Sequence, residues 1–163
     1  MAACATACLM LPFAMDQVLL NTEKPRADFL PYALAVLALV VFFVGFLRFK
    51  KHQTTRVQTL WLAYLLLISV FEELAFRLLL PTFFLSTLGA AASVVLSNAI
   101  FAGIHYFSLR WKLGPCAFVF LGGIGFSRLL ENTEDLVLVI LVHWLATFLN
   151  TPRPPKYRMP QDN

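Results

Sequence analysis

Nineteen nearly uninterrupted apolar residues, 29–47, constrain what this chain can fold into more than any other feature. As a helix rising 1.5 Å per residue they cross about 30 Å, the thickness of a bilayer's hydrocarbon layer. The run has company. Residues 57–80 are mostly apolar but hold three charges, 85–107 are apolar and rich in small side chains, and 115–130 and 136–149 are shorter. Composition removes the alternative of a large soluble core: 60% of the 163 residues are hydrophobic, 16 are Phe and only 13% are charged. A soluble particle of 18.4 kDa has too little interior for that apolar load. The expected fold is therefore all-α, a polytopic transmembrane helix bundle with five to six spans. The sixth is residues 7–20, apolar but interrupted by Pro12 and Asp16, which read as an interfacial or weak transmembrane helix.

Three segments follow: residues 1–28 as the N-terminal helix and its approach, 29–150 as the transmembrane core, and 151–163 as a polar tail with Pro152, Pro154 and Pro155. The first twenty residues lack the basic start of a signal peptide, and Ala2 stands where myristoylation needs Gly. Cys4, Cys8 and Cys116 form no CxxC pair and predict neither a disulfide framework nor a thiolate metal site.

A net charge of +4 would suggest nucleic acid in a soluble protein, but here the positions of the charges decide. Arg48, Lys50, Lys51 and Arg56 share one loop, Arg110 and Lys112 another, and Arg153, Lys156 and Arg158 the tail. With five spans in alternation, these loops and the tail fall on one side and hold nine of the 13 Lys and Arg. The positive-inside rule then predicts a cytoplasmic C-terminus. Lys24, Arg26 and Arg128, with Glu131, Glu134 and Asp135, fall opposite. No nucleic-acid partner is expected; the partners are the lipid bilayer and whatever the site acts on.

Five ionisable side chains lie inside the expected spans: Glu72, Glu73, Arg77, His105 and His143, whereas His52 is in a loop. A charge at mid-membrane costs about 2.5–3.5 kcal/mol on insertion scales, so such residues face a partner or a wet cavity. Glu73 and Arg77 are i,i+4 neighbours and can pair as a structural ion pair. Glu72 lies about 100° around the helix from Glu73, so the two are expected to point in different directions. Left without a partner on its own helix, Glu72 is the carboxylate suited to general acid–base work. Asn98, Phe101 and His105 recur on one face of the third span, among Gly103 and several Ala and Ser that allow close helix approach. His143, Thr147 and Asn150 share a face of the last span.

These residues fall into motifs. Glu72-Glu73-Leu74-Ala75-Phe76-Arg77 matches EExxxR, Phe101 to His105 matches FxxxH, and His143 follows as a later intramembrane histidine. In that order, within a hydrophobic chain, they resemble the CPBP (CAAX protease and bacteriocin-processing) family of intramembrane glutamate-type proteases over roughly residues 70–150. The resemblance implies an intramembrane endopeptidase acting near a membrane-embedded or lipid-linked segment of a protein or peptide substrate. On it, Glu72 would activate water with help from His105. His143, with Thr147, would stabilise the oxyanion or protonate the leaving amine, and Glu73 and Arg77 would hold the helix and tune the site. No cofactor is expected; the alternative is Zn²⁺ held by Glu72, His105 and His143 in a His₂Glu set with an open water position.

One position departs from the family. Its last motif is usually HxxxN or HxxxD, and here the fourth residue after His143 is Thr147, one hydroxyl in place of an amide. Asn150 lies about 10 Å further along the axis from His143. A catalytically degenerate member acting as a membrane scaffold or chaperone is therefore the alternative function, and a proton or ion carrier a third. Asn98 reads as interhelical glue, Phe101 as a cavity wall, and Gly122, Gly123 and Gly125 as close helix packing. Glu72 sits near the middle of its run and His105 near the end of its own. For the two to meet, one helix must tilt, break or extend through Trp111.

Overall fold

The computed structural model describes residues 2–50 and 56–154. His52, Lys51 and the tail charges Lys156 and Arg158 lie outside the described residues. Three short helices come first: α1 (Ala2–Leu9), α2 (Ala14–Leu20) and α3 (Glu23–Ala27). Then come α4 (Leu30–Phe49), α5 (Arg56–Glu73), a π-helical turn (Leu74–Leu79), α6 (Leu80–Leu88), α7 (Ala90–Leu109), α8 (Leu113–Thr133) and α9 (Leu136–Asn150). Among the described residues there is no strand, and the fold is all-α.

Among the described residues three helices are long and apolar enough to cross a membrane: α4, α7 and α8. Together with the charge-poor composition they make this an integral membrane protein. The 15-residue α9 is apolar but short. α5, the π turn and α6 follow one another without a break, and the acidic pair stands near the midpoint of that rod. The 7–20 stretch divides into α1 and α2, each too short to span alone, since eight residues rise only about 12 Å. They pack instead on the π turn.

Two boundaries differ from the sequence expectation. The apolar run 85–107 is not one helix, because Gly89 at φ 76° ends α6 and α7 begins at Ala90. Only glycine adopts that conformation without strain, and apolar composition does not mark it. The 115–130 run extends at both ends into the 21-residue α8, which ends where Glu134 turns left-handed. Asp135 then caps α9, its Oδ1 accepting the Leu138 N–H at 2.9 Å.

Contacts at the two ends of the bundle give the order of passes. At one end the Leu136 N–H donates to the Asn21 carbonyl, Lys24 reaches the Thr133 carbonyl, and the Tyr32 hydroxyl donates to Asp135. At the other end Gln58 and Trp61 donate to the carbonyls of Pro152 and Thr151. α4, the α5–α6 rod, α7, α8 and α9 therefore run alternately between the same two ends. The core lies in two clusters. One surrounds the π turn, where Phe76, Leu78 and Leu79 meet Phe101, Val139 and Ile140. The other joins α4, α5 and α9 through Phe43, whose ring lies 4.8 Å from Trp144 and 4.2 Å from Phe148.

Candidate active site

The site is built on the π turn. A π turn carries one extra residue and recurs where a helix must re-aim side chains at a functional position. Here it follows Glu72 and Glu73 immediately and contains Arg77. Its cause is legible in Pro81, which has no N–H to give back to the preceding turn. The Phe76 carbonyl, five residues before Pro81, instead accepts the Ser97 hydroxyl from α7 at 2.6 Å. That bond pins α7 against the turn, with the Phe101 ring 5.1 Å from that of Phe76 and 4.1 Å from the Arg77 guanidinium.

This register answers the depth mismatch expected between Glu72 and His105. α7 runs antiparallel to the rod, with Phe101 against Arg77. One turn further along α7 is His105, and one turn back along the rod is Glu73, so the histidine reaches the level of the glutamates. Gly89 separates α6 from α7, so α7 starts later than the apolar run suggests. Trp111, just past the end of α7, lies 5.0 Å from the His105 ring.

The acidic pair does not diverge as the helical wheel suggests. Both carboxylates reach His143 of α9: Nδ1 donates to Glu73 Oε1 at 2.5 Å, and Nε2 lies 3.5 Å from Glu72 Oε2. Two residues 100° apart on one helix flank a single imidazole, one at each ring nitrogen. Glu73 is also 3.5 Å from Arg77 Nε through its other oxygen, completing an i,i+4 ion pair. All four side chains are buried, and that of Glu73 is wholly enclosed.

His105 stands apart from these four. Its Nδ1–H donates to the Phe101 carbonyl at 2.9 Å, which leaves Nε2 as the free lone pair. Its ring packs edge-on against Phe101 at 4.6 Å. Among the described residues no hydrogen bond or ion pair joins it to Glu72 or His143. Glu72, His105 and His143 are 5%, 7% and 8% exposed, and none of their polar atoms is among those sealed without a partner. Among the described residues the sealed atoms without a hydrogen-bond partner belong to Glu73 (Oε2), Arg77 (Nε and Nη1) and Asn98 (Oδ1).

The two remaining polar residues of α9 take little part. The Thr147 hydroxyl donates to the His143 carbonyl at 2.9 Å, and Asn150 is exposed at the helix end. Among the described residues no three His, Cys, Asp or Glu side chains converge as a metal site requires.

α8 supplies contacts that no motif announced. Asn98 Nδ2 donates to Ser127 Oγ at 3.0 Å, tying α7 to α8. The Phe126 ring lies 5.1 Å from His143 and 5.9 Å from the Arg77 guanidinium. At Gly123 a β-carbon would fall 2.0 Å from Asn98 Oδ1 and 3.1 Å from Arg77 Nη2, so here close packing demands glycine. The available sequence signal was the i,i+4 spacing of Gly123 and Ser127, a small-residue stripe aimed at a neighbour.

No curated protein and no solved structure matches the chain. A family model described as type II CAAX prenyl endopeptidase Rce1-like matches residues 54–149. That match covers more than half of the sequence and takes in both glutamates, Arg77, Phe101, His105 and His143, so the chain belongs to the Rce1-like family of CAAX-type intramembrane endopeptidases.

Proposed function

We propose that this protein hydrolyses a peptide bond near the lipid-linked tail of a prenylated protein substrate, with Glu72 as the group that activates water. The observation that carries the reading is the difference between the two adjacent carboxylates. Glu73 is held by His143 and Arg77, whereas Glu72 makes no hydrogen bond within the described residues and lies beside His143 Nε2.

In the reaction Glu72 takes a proton from water as the oxygen attacks the scissile carbonyl. His105, with Nδ1 committed to its own helix, presents Nε2 as an acceptor that orients the same water. His143, held at Nδ1 by Glu73, stabilises the oxyanion through Nε2 as the tetrahedral intermediate forms. The proton held by Glu72 then passes to the leaving amine as the C–N bond breaks. Glu73 and Arg77 fix the imidazole and take no part in proton transfer. The protease-like core is residues 29–150, and its C-terminal end faces the cytoplasm, in keeping with the clustered basic residues. The test is cleavage of a prenylated, CAAX-tailed peptide by the protein in vesicles, with the released C-terminal peptide read by mass spectrometry. Loss of product in Glu72→Gln, His105→Ala and His143→Ala with the fold retained is the expected result; wild-type rates in all three would remove the assignment.

A second reading has one observation in its favour. Thr147, where relatives usually carry an amide, directs its hydroxyl to a carbonyl of its own helix and not toward the glutamates. A degenerate, scaffold-type member would show no cleavage as wild type and would gain it on Thr147→Asn. Cleavage by the Thr147 form excludes that reading.

A further inference from the structure

α8 carries none of the motif residues, yet three of its side-chain positions face the polar site: Gly123, Phe126 and Ser127. The amide of Asn98 links them to the charges. Both of its N–H bonds are spent, one on the Val94 carbonyl at 2.9 Å and one on Ser127 Oγ at 3.0 Å. With both donors committed, the amide has a single orientation, and Oδ1 has to face Gly123. There it meets the space that Arg77 Nη2 also borders, because a β-carbon at Gly123 would contact both. Asn98 Oδ1 is sealed from solvent, as are Arg77 Nε and Nη1. The acceptor and the guanidinium border one glycine notch without a hydrogen bond between them, where a charge–dipole attraction is little screened.

We infer that Ser127, acting through the Asn98 amide, is a positioning residue that sets the place of Arg77 and, through Glu73, the orientation of the His143 imidazole. Removing the Ser127 oxygen leaves one N–H unpaired and the amide held only at Val94, so Oδ1 no longer keeps a fixed place against the guanidinium. Arg77 then shifts, Glu73 loses its fixed partner, and Nε2 of His143 leaves the line of attack beside Glu72. Neither Ser127 nor α8 touches the substrate on this assignment. The kinetic part of the inference rests on the peptidase reading above; the placement of Arg77 does not.

The experiment uses the full chain in phosphatidylcholine vesicles, as wild type, Ser127→Ala and Ser127→Thr. Two quantities are read: kcat and KM on the prenylated peptide, and the ¹⁵Nε–H resonance of Arg77, identified by its loss in Arg77→Lys. Ser127→Ala is expected to lower kcat about tenfold, the worth of one ordinary hydrogen bond, with KM unchanged. Its Arg77 resonance moves, and Ser127→Thr, which keeps the oxygen, restores both. An unmoved resonance, or a kcat at the wild-type value, overturns the inference, as does failure of Thr to rescue. If the wild type does not cleave, the peptidase reading has failed and the resonance alone decides: movement in Ala and not in Thr supports the placement, and anything else overturns it. Should Ser127→Ala not fold, Asn98→Asp, which removes the N–H donors and keeps an oxygen toward Arg77, replaces it. Ser127→Thr added to Asn98→Asp is then expected to change neither quantity further, and additive effects overturn the inference.

Discussion

The polar heart of this bundle has two halves of opposite character. Glu73, Arg77 and Asn98 each carry at least one fully enclosed atom without a hydrogen-bond partner, whereas Glu72, His105 and His143 carry none. The residues are neighbours in sequence and space, and Glu72 and Glu73 are adjacent. The difference comes from what packs over them. Phe101, Phe126 and the Gly123 notch close over the guanidinium. The faces bearing Glu72 and His143 Nε2 stay reachable. A buried ion pair is weak as a source of net stability but costly to break once formed, so the enclosed half fixes geometry. The reachable half holds groups with spare lone pairs and protons, which is what hydrolysis needs.

Several substitutions break this contrast. The largest effect is expected at the reachable half: Glu72→Gln or His143→Ala lowers cleavage by about 10²–10⁴-fold, as loss of a general acid or base does, and in Glu72→Gln thermal unfolding stays close to wild type. At the enclosed half the damage is to the fold. Arg77→Met leaves the Glu73 carboxylate buried without its cation, and a loss of about 3–5 kcal/mol is expected in denaturant unfolding. Gly123→Ala places a methyl group on Asn98 Oδ1 and costs about 1–3 kcal/mol by overpacking, read as a lower midpoint. The smallest effect belongs to Thr147→Val, which removes a hydroxyl bonded only to its own helix and shifts stability by less than about 1 kcal/mol. A large loss of cleavage in that variant would move Thr147 into the reachable half.

Much of this was legible before the structure. The apolar runs give an all-α membrane bundle, and the few charges within them mark both glutamates, Arg77, His105 and His143. What stayed hidden has physical reasons. Gly89 breaks an apolar run without changing its hydropathy, so the helix boundary was displaced. The helical wheel treats neighbours as diverging, but one imidazole has two nitrogens and can serve both glutamates. The π turn leaves only Pro81 as a trace. Phe126 and Ser127 lie on a helix whose pattern, small and aromatic side chains without charge, reads as ordinary packing.

The division of labour between the adjacent carboxylates is tested most directly by comparing Glu72→Gln with Glu73→Gln, measuring cleavage of the prenylated peptide per folded molecule in vesicles. The expected result is that Glu72→Gln is folded and inactive, whereas Glu73→Gln unfolds more easily yet cleaves at a measurable rate. Cleavage retained by Glu72→Gln and abolished in folded Glu73→Gln would contradict the assignment and make Glu73 the chemical group.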